Sequence, residues 1–270
     1  GSGRYILTSR AARLFGKGAI AATAMSLCMA TPAGAAAPSW TDGWTFDASI
    51  YMWMPSLAAD LNNGGDVYMS FSDLLSNLNM TYMVAGQAEK GRWGIHADLI
   101  YMNLGADDSG TVPVSVGPVE LPVNVKADVG MKSWINTLAA TYEVLENDKT
   151  SLKLLGGVRY LKIDTRLKVD VGVFDQTRSK KLRGTGSAWD GIVGLKGETR
   201  INDKWYVPFY ADVGAGDSDL TWQALAGVGY QFNWGDAYLV YRYMNYDLPS
   251  DRLITDLTIK GPLAGVTFSF

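Results

Sequence analysis

The sequence predicts an all-β chain, folded as an antiparallel up-and-down transmembrane β-barrel of about ten strands. Three observations lead there. Apolar and polar residues alternate with period two on segment after segment, the signature of strands with chemically different faces. Short turns alternate with long connections along the chain. The last segment, Leu263 to Phe270, alternates up to an aromatic at its end.

The chain has 270 residues, 47% of them hydrophobic, with no break in composition that would divide it into domains. Arg4, Arg10, Arg13 and Lys17 precede an apolar run from Ala19 to Ala30, followed by Pro32 and the small-residue site Ala33-Gly34-Ala35. That order predicts a secretory signal peptide over 1–35 and a mature barrel over 36–270. The apolar run is too short for a membrane-spanning helix, which needs about 20 residues. Arg10 and Arg13 are not adjacent, which argues against twin-arginine export, and bulky Leu27 before Cys28 argues against a lipoprotein.

Cys28 is the single cysteine, so the mature chain forms no disulfide. Beyond residue 35 there are 20 Lys and Arg against 27 Asp and Glu, a net charge of −7 that excludes a nucleic-acid partner of the usual basic kind. No later run of 18 apolar residues exists. A membrane location therefore requires a closed barrel, in which every backbone polar group is paired.

In chain order, 44–54 alternates cleanly and is the first strand, interrupted by Pro55. Residues 57–61 and 67–71 flank the turn Asn62-Asn63-Gly64-Gly65. Ser72, Leu74, Leu75 and Leu78 have the spacing of a short capped helix in this first long connection. Residues 79–89 and 92–104 form a hairpin at Lys90-Gly91. A polar, proline-rich excursion over 105–126 contains two segments, 112–116 and 119–125, able to pair as a projecting hairpin.

Strands follow over 131–144 and 150–163, then a long charged stretch to Gly186, then 187–200, 204–213, 219–233 and 236–246. Leu257 and Ile259 differ in parity from Val266 and Phe268, so a β-bulge is expected at Gly261-Pro262. The count is ten strands. A first-connection hairpin embedded in the wall would make it twelve.

The outward set includes Leu154, Val158, Trp189, Val193, Trp205, Trp222, Val228 and Phe232; the partner faces carry Lys153, Arg159, Asp190, Lys196, Asp212, Gln223 and Arg242. Alternation alone does not separate a lipid-facing barrel from a soluble sandwich. Trp44, Trp93, Trp134, Trp189, Trp205, Trp234, Tyr101 and Tyr160 near strand ends favour the barrel, because membrane barrels carry aromatic girdles at both interfaces.

The terminal strand resembles the closing strand of Gram-negative outer-membrane barrels. That resemblance implies a C-terminal assembly signal in Val266, Phe268 and Phe270, read by the barrel-assembly machinery. The segments FSDLLSNLN from Phe71, KGRWGIHADLIY from Lys90, GDSDLTWQALAGVGY from Gly216 and YRYMNY from Tyr241 resemble a family of uncharacterised proteobacterial outer-membrane β-barrel proteins. It implies a porin-like fold, the outer membrane as address and its lipid as partner. It brings no catalytic residue and no cofactor.

The candidate site is a polar cluster in the lumen: Asp47, His96, Asp98, Arg159, Asp190, Lys196, Asp212 and Arg242. Both signs are present, so these side chains either lock into a salt-bridged plug, as in small barrels with filled interiors, or line a narrow conduit for small polar solutes. His96 and Asp98 share a face, which raises a third reading, a lipid hydrolase or acyltransferase with Ser133, Thr137 or Thr81 as nucleophile. No motif places that nucleophile. Asp217 and Asp219 are oxygen donors suited to a hard cation, but an exposed loop explains them as well. The expectation is a structural or loop-binding barrel with a side-chain-filled polar lumen, without cofactor, metal or catalysis.

Overall fold

The computed structural model describes residues 43–270 apart from 63, 65, 77, 117–118, 174–175 and 253; the expected signal peptide lies outside them. The strands are β1 (Thr45–Trp53), β2 (Ser56–Leu61), β3 (Asp66–Met69), β4 (Leu78–Lys90), β5 (Trp93–Val116), β6 (Val119–Glu146), β7 (Thr150–Val173), β8 (Gln176–Arg200), β9 (Trp205–Gly216), β10 (Leu220–Gln231), β11 (Asp236–Asp247) and β12 (Ile254–Ser269). A six-residue helix, α1 (Phe71–Ser76), precedes β4, with the Leu74 N–H donating to Ser70 O at 3.1 Å.

Ten strands close on themselves in the order β1, then β4 through β12, then back to β1. Every pairing is antiparallel. The remaining two, β2 and β3, form a hairpin on the edge of β12, where β2 takes over from β1. Pro55 explains the handover, since it supplies no N–H and interrupts β1–β2 at Met54-Pro55.

The end that also holds Thr45 and Phe270 carries only short turns among the described residues, at 91–92, 147–149, 201–204 and 232–235, whereas at the opposite end the strands themselves run on for different lengths before they turn. At this turn end the Asn147 and Asn202 side chains each accept two backbone N–H groups at 2.9 Å, so the polar tight turns read from the sequence are chemically closed. The opposite, loop end is uneven. β4 stops pairing with β5 at Leu104 and β9 stops pairing with β8 at Asp190, yet β5, β6, β7 and β8 continue to Val116↔Val119 and Val173↔Gln176. A four-stranded sheet thus projects beyond the barrel, about 50 Å of strand past Tyr101 at ~3.3 Å per residue. The expected hairpin of segments 112–116 and 119–125 is the end of it formed by β5 and β6. The charged stretch 164–186, read as a connection, is strand as well over 164–173 and 176–186, with Arg166, Lys181 and Arg183 exposed on the projecting sheet.

The outer surface is a band bounded by two rings of aromatics. Near the turn end Trp93 packs on Tyr142, and Trp205, Tyr230, Phe232, Trp234 and Phe268 form a chain of ring contacts. Near the loop end Tyr82, Tyr101 and Trp134 form one cluster, Tyr160 and Trp189 a pair, and Trp222 and Tyr243 another. Trp93 and Tyr101, Trp134 and Tyr142, and Trp222 and Tyr230 are each eight residues apart on one strand. Eight residues tilted by about 40° give a band about 20 Å tall, close to the ~25 Å apolar band of a membrane barrel. Leu138, Leu154, Val193 and Leu239 fill it, each at least half exposed.

The interior is layered rather than uniformly polar, and this corrects the expected polar lumen. In the loop-end half, the inward residues Trp53, Met83, Ile100, Ile135, Leu161, Met244, Tyr246, Leu257 and Ile259 pack into one apolar cluster. This layer also removes the bulge expected at Gly261-Pro262. Residues 256–267 of β12 pair with β11 in unbroken register, so Leu257 and Ile259 face the apolar lumen while Val266 and Phe268 face outward. The register shift of β12 lies between Ile254 and Asp256. Gly261 and Pro262 sit against the Met54-Pro55 break: a Cβ on Gly261 would meet Met54 O and come within 3.0 Å of Pro55 Cα, and Pro262 O accepts the Met54 N–H at 2.9 Å.

Candidate functional site

Halfway along the barrel, below the apolar cluster, the inward positions of seven strands bring charges and hydroxyls to one level. Arg242 on β11 donates from Nη2 to Asp98 Oδ2 (2.9 Å), from Nε to Gln223 Oε1 (3.0 Å) and from Nη1 to Tyr51 Oη (3.3 Å). Its guanidinium carbon lies 4.9 Å from the centre of the Trp53 ring. Tyr51 donates to Asp98. Gln223 turns its amide N–H to Asp212 Oδ2 (2.8 Å), which also accepts from Tyr210 (2.5 Å) and is ion-paired with Arg159. Arg159 adds Thr221 Oγ1 (3.2 Å) and Thr137 Oγ1 (3.5 Å).

The result is one connected lattice spanning β1, β5, β6, β7, β9, β10 and β11. Two arginines and two aspartates cancel in charge. Arg159, Arg242 and Asp212 are all at most 5% exposed, and charges so buried persist only when paired and hydrogen-bonded. The planar arginine forks suit this, because each guanidinium serves several acceptors at fixed angles.

Below the lattice a cavity of about 530 Å³ opens toward the turn end. Its wall is polar and cross-linked. Lys153 pairs with Glu89, Gln87 donates to Glu89 at 2.5 Å, and Lys196 donates to Gln87 Oε1 while its Nζ lies 3.4 Å from His96 Nδ1. At the rim Ser269 donates to Asp47 Oδ1 (2.6 Å), Arg200 to Gln231 (3.1 Å), and Arg200 and Glu198 approach to 3.5 Å.

The structure therefore divides the eight residues of the sequence-level cluster by depth. Asp98, Arg159, Asp212 and Arg242 form the lattice. His96 and Lys196 line the cavity, and Asp47 stands at its mouth. Asp190 instead caps the β9–β10 connection, accepting from the Ser218 N–H and Oγ at 2.8 Å each. Tyr51, Gln223, Tyr210 and Thr221 complete the lattice and were missing from the expected set; Tyr51 shares strand parity with Asp47 and Tyr210 with Asp212, while Gln223 and Thr221 stand on β10, which contributed no charge to that set.

None of the nucleophile candidates that the disfavoured catalytic reading of His96 would need is brought free beside it. His96 is flanked in register by Gln87 and Ala139. Thr137 is committed to Arg159, Thr81 donates to Tyr101 O at 2.8 Å, and Ser133 lies opposite Met102 and Ile163, toward the loop end. Asp98, the intended orienting carboxylate, is occupied by Tyr51 and Arg242. In the loop, Asp217 Oδ2 accepts the Trp189 N–H at 2.9 Å, and no group of metal-binding side chains occurs among the described residues.

No family model and no curated protein matches the chain. Among solved structures it is similar to the translocator domain of the autotransporter NalP from Neisseria meningitidis, at 14% identity over 84% of this chain and 88% of that one, with a TM-score of 0.41. It is also similar to Ail, the attachment invasion locus protein of Yersinia pestis (11% identity, 84% and 99%, TM-score 0.32). A third is the P. putida toluene transporter TodX (12% identity, 86% and 90%, TM-score 0.32).

Proposed function

We propose that the chain is an integral outer-membrane β-barrel with a closed lumen, which acts through its projecting sheet and loops rather than by passing solutes. The observation that carries this reading is the stack of two seals in the lumen. The charged lattice crosses the barrel at mid-height, and the apolar cluster fills the half above it. A hydrated solute entering the cavity from the turn end meets first fixed, mutually neutralised charges and then a packed apolar layer in which the buried Tyr246 hydroxyl is the one side-chain polar atom left unpartnered among the cluster's described residues. The turn end is the periplasmic side in this reading, since outer-membrane barrels keep short turns inside and long connections outside. The projecting sheet then stands in the extracellular space.

The location is tested on the protein expressed with its export signal in a Gram-negative host. The expected result is recovery in the outer-membrane fraction and a gel mobility that changes on boiling, as a closed barrel resists unfolding in cold detergent. Recovery as a soluble periplasmic protein would sink the proposal.

A further inference from the structure

Beyond the loop-end girdle, the outward face of β6, β7 and β8 carries a block of cations that sheet-building alone does not explain. Arg166 stands directly opposite Arg183, and Lys168 directly opposite Lys181, in adjacent rows of the β7–β8 ladder. Both rows are outward, because they share strand parity with Tyr160 and Trp189. Like charges directly opposed across a sheet are destabilising, and here two such pairs are stacked.

Protection of a free edge accounts for lysine and arginine on edge strands. It covers Lys181 and Arg183, since β8 pairs with β9 only from Asp190 onward. It does not cover Arg166 and Lys168, because β7 has β6 on its other side. Lys132 and Lys162 extend the block downward, each two residues beyond a girdle aromatic, Trp134 and Tyr160.

Acids of the same strand parity alternate with these cations, Asp164 and Asp170 on β7 and Asp128 on β6. A hydrogen bond from Thr185 holds the Asp164 carboxyl below its usual value, aided by Lys162 at 3.4 Å, and β6 brings Asp128 into register with Lys168. Among the described residues Arg166, Lys181 and Arg183 make no ion pair, and all three are exposed.

Height above the membrane selects the ligand. With ~3.3 Å per residue and a tilt of about 40°, Lys132 and Lys162 stand about 5 Å above the girdle and the Arg166–Arg183 row about 15 Å above it. The headgroup layer of a glycerophospholipid is about 5–8 Å deep, so its phosphate reaches the lower row alone. A lipid with phosphates on a tall saccharide headgroup reaches both.

We propose that this face binds a phosphorylated glycolipid of the outer leaflet, with saccharide phosphates held between Arg166 and Arg183. Arginine forks suit phosphate oxygens, and the bound anion would relieve the repulsion between the opposed cations. The inference rests on the outer-membrane reading above.

The test uses the folded full-length barrel in detergent, its fold checked by heat-modifiable migration, and titrates it with lipopolysaccharide, the same lipid after chemical dephosphorylation, and inorganic phosphate. The wild type is expected to bind the phosphorylated lipid about tenfold or more tightly than the dephosphorylated one, and the Arg166→Gln/Arg183→Gln variant to lose that difference. Without lipid the variant should be at least as resistant to denaturant as the wild type, since it removes a repulsion. Three outcomes overturn the site while leaving the barrel standing: equal binding of the two lipids by the wild type, an unchanged preference in the variant, or inorganic phosphate bound as tightly as the lipid. A variant less stable than the wild type would make these arginines structural and overturn it too. A protein without heat-modifiable migration would remove the membrane reading, and the site with it.

Discussion

Replacing Arg242 by methionine is expected to destabilise the barrel by about 3–5 kcal/mol, the cost of removing one member of a buried ion pair. Methionine keeps much of the side-chain volume, so the loss is electrostatic rather than a cavity. Asp98 would keep only the Tyr51 hydroxyl, Gln223 Oε1 would lose its donor, and the Trp53 ring would lose its cation. Asp98→Leu alone should be damaging for the mirror-image reason, stranding the guanidinium. The double variant Arg242→Met/Asp98→Leu should recover a good part of the loss, because two apolar residues in place of a buried pair leave no unpaired charge. Denaturant-induced loss of the folded gel band measures all three. Strict additivity of the two single losses would show that the pair does not act as a unit.

Arginine at the middle of the outward band is the second large effect. Leu138 lies midway between Trp134 and Tyr142, and Val193 lies four residues below Trp189; both face outward. In a bilayer, Leu138→Arg or Val193→Arg should cost about 2–4 kcal/mol, whereas Ile201→Arg, in a turn beyond the girdle, should cost about 0–1 kcal/mol. If water rather than lipid met this face, all three changes would be small, as surface substitutions usually are. The ratio between mid-band and turn positions is what the folding titration in lipid vesicles reads.

These two predictions draw on parts of the molecule that were unequally legible in the sequence. The outward band was readable one strand at a time, because Leu154 beside Lys153 or Val193 beside Asp190 and Lys196 needs only the period of two. The turns were readable for the same local reason. The lumen was not. Arg242 meets Asp98 across 144 positions, and His96, two residues from Asp98, meets Lys196 instead. Such partners are set by how the sheet closes and by strand register, which no single strand encodes. Depth was hidden as well: Leu257 and Ile259 looked displaced from the outward face because the interior was assumed to be of one chemistry, when its two halves differ. The projecting sheet was hidden by its charges, which on an exposed hairpin do not disturb the backbone pairing.

The closed lumen is the central claim, and the most direct measurement of it is electrical. Purified wild-type protein, reconstituted into a planar bilayer and shown by its heat-modifiable migration to be folded, is expected to leave the baseline current unchanged across the applied voltage range with monovalent salts on both sides. Reproducible single-channel steps from the folded wild-type protein would contradict it, since ions would then be crossing both the Arg159–Asp212–Gln223–Arg242–Asp98 lattice and the apolar layer above.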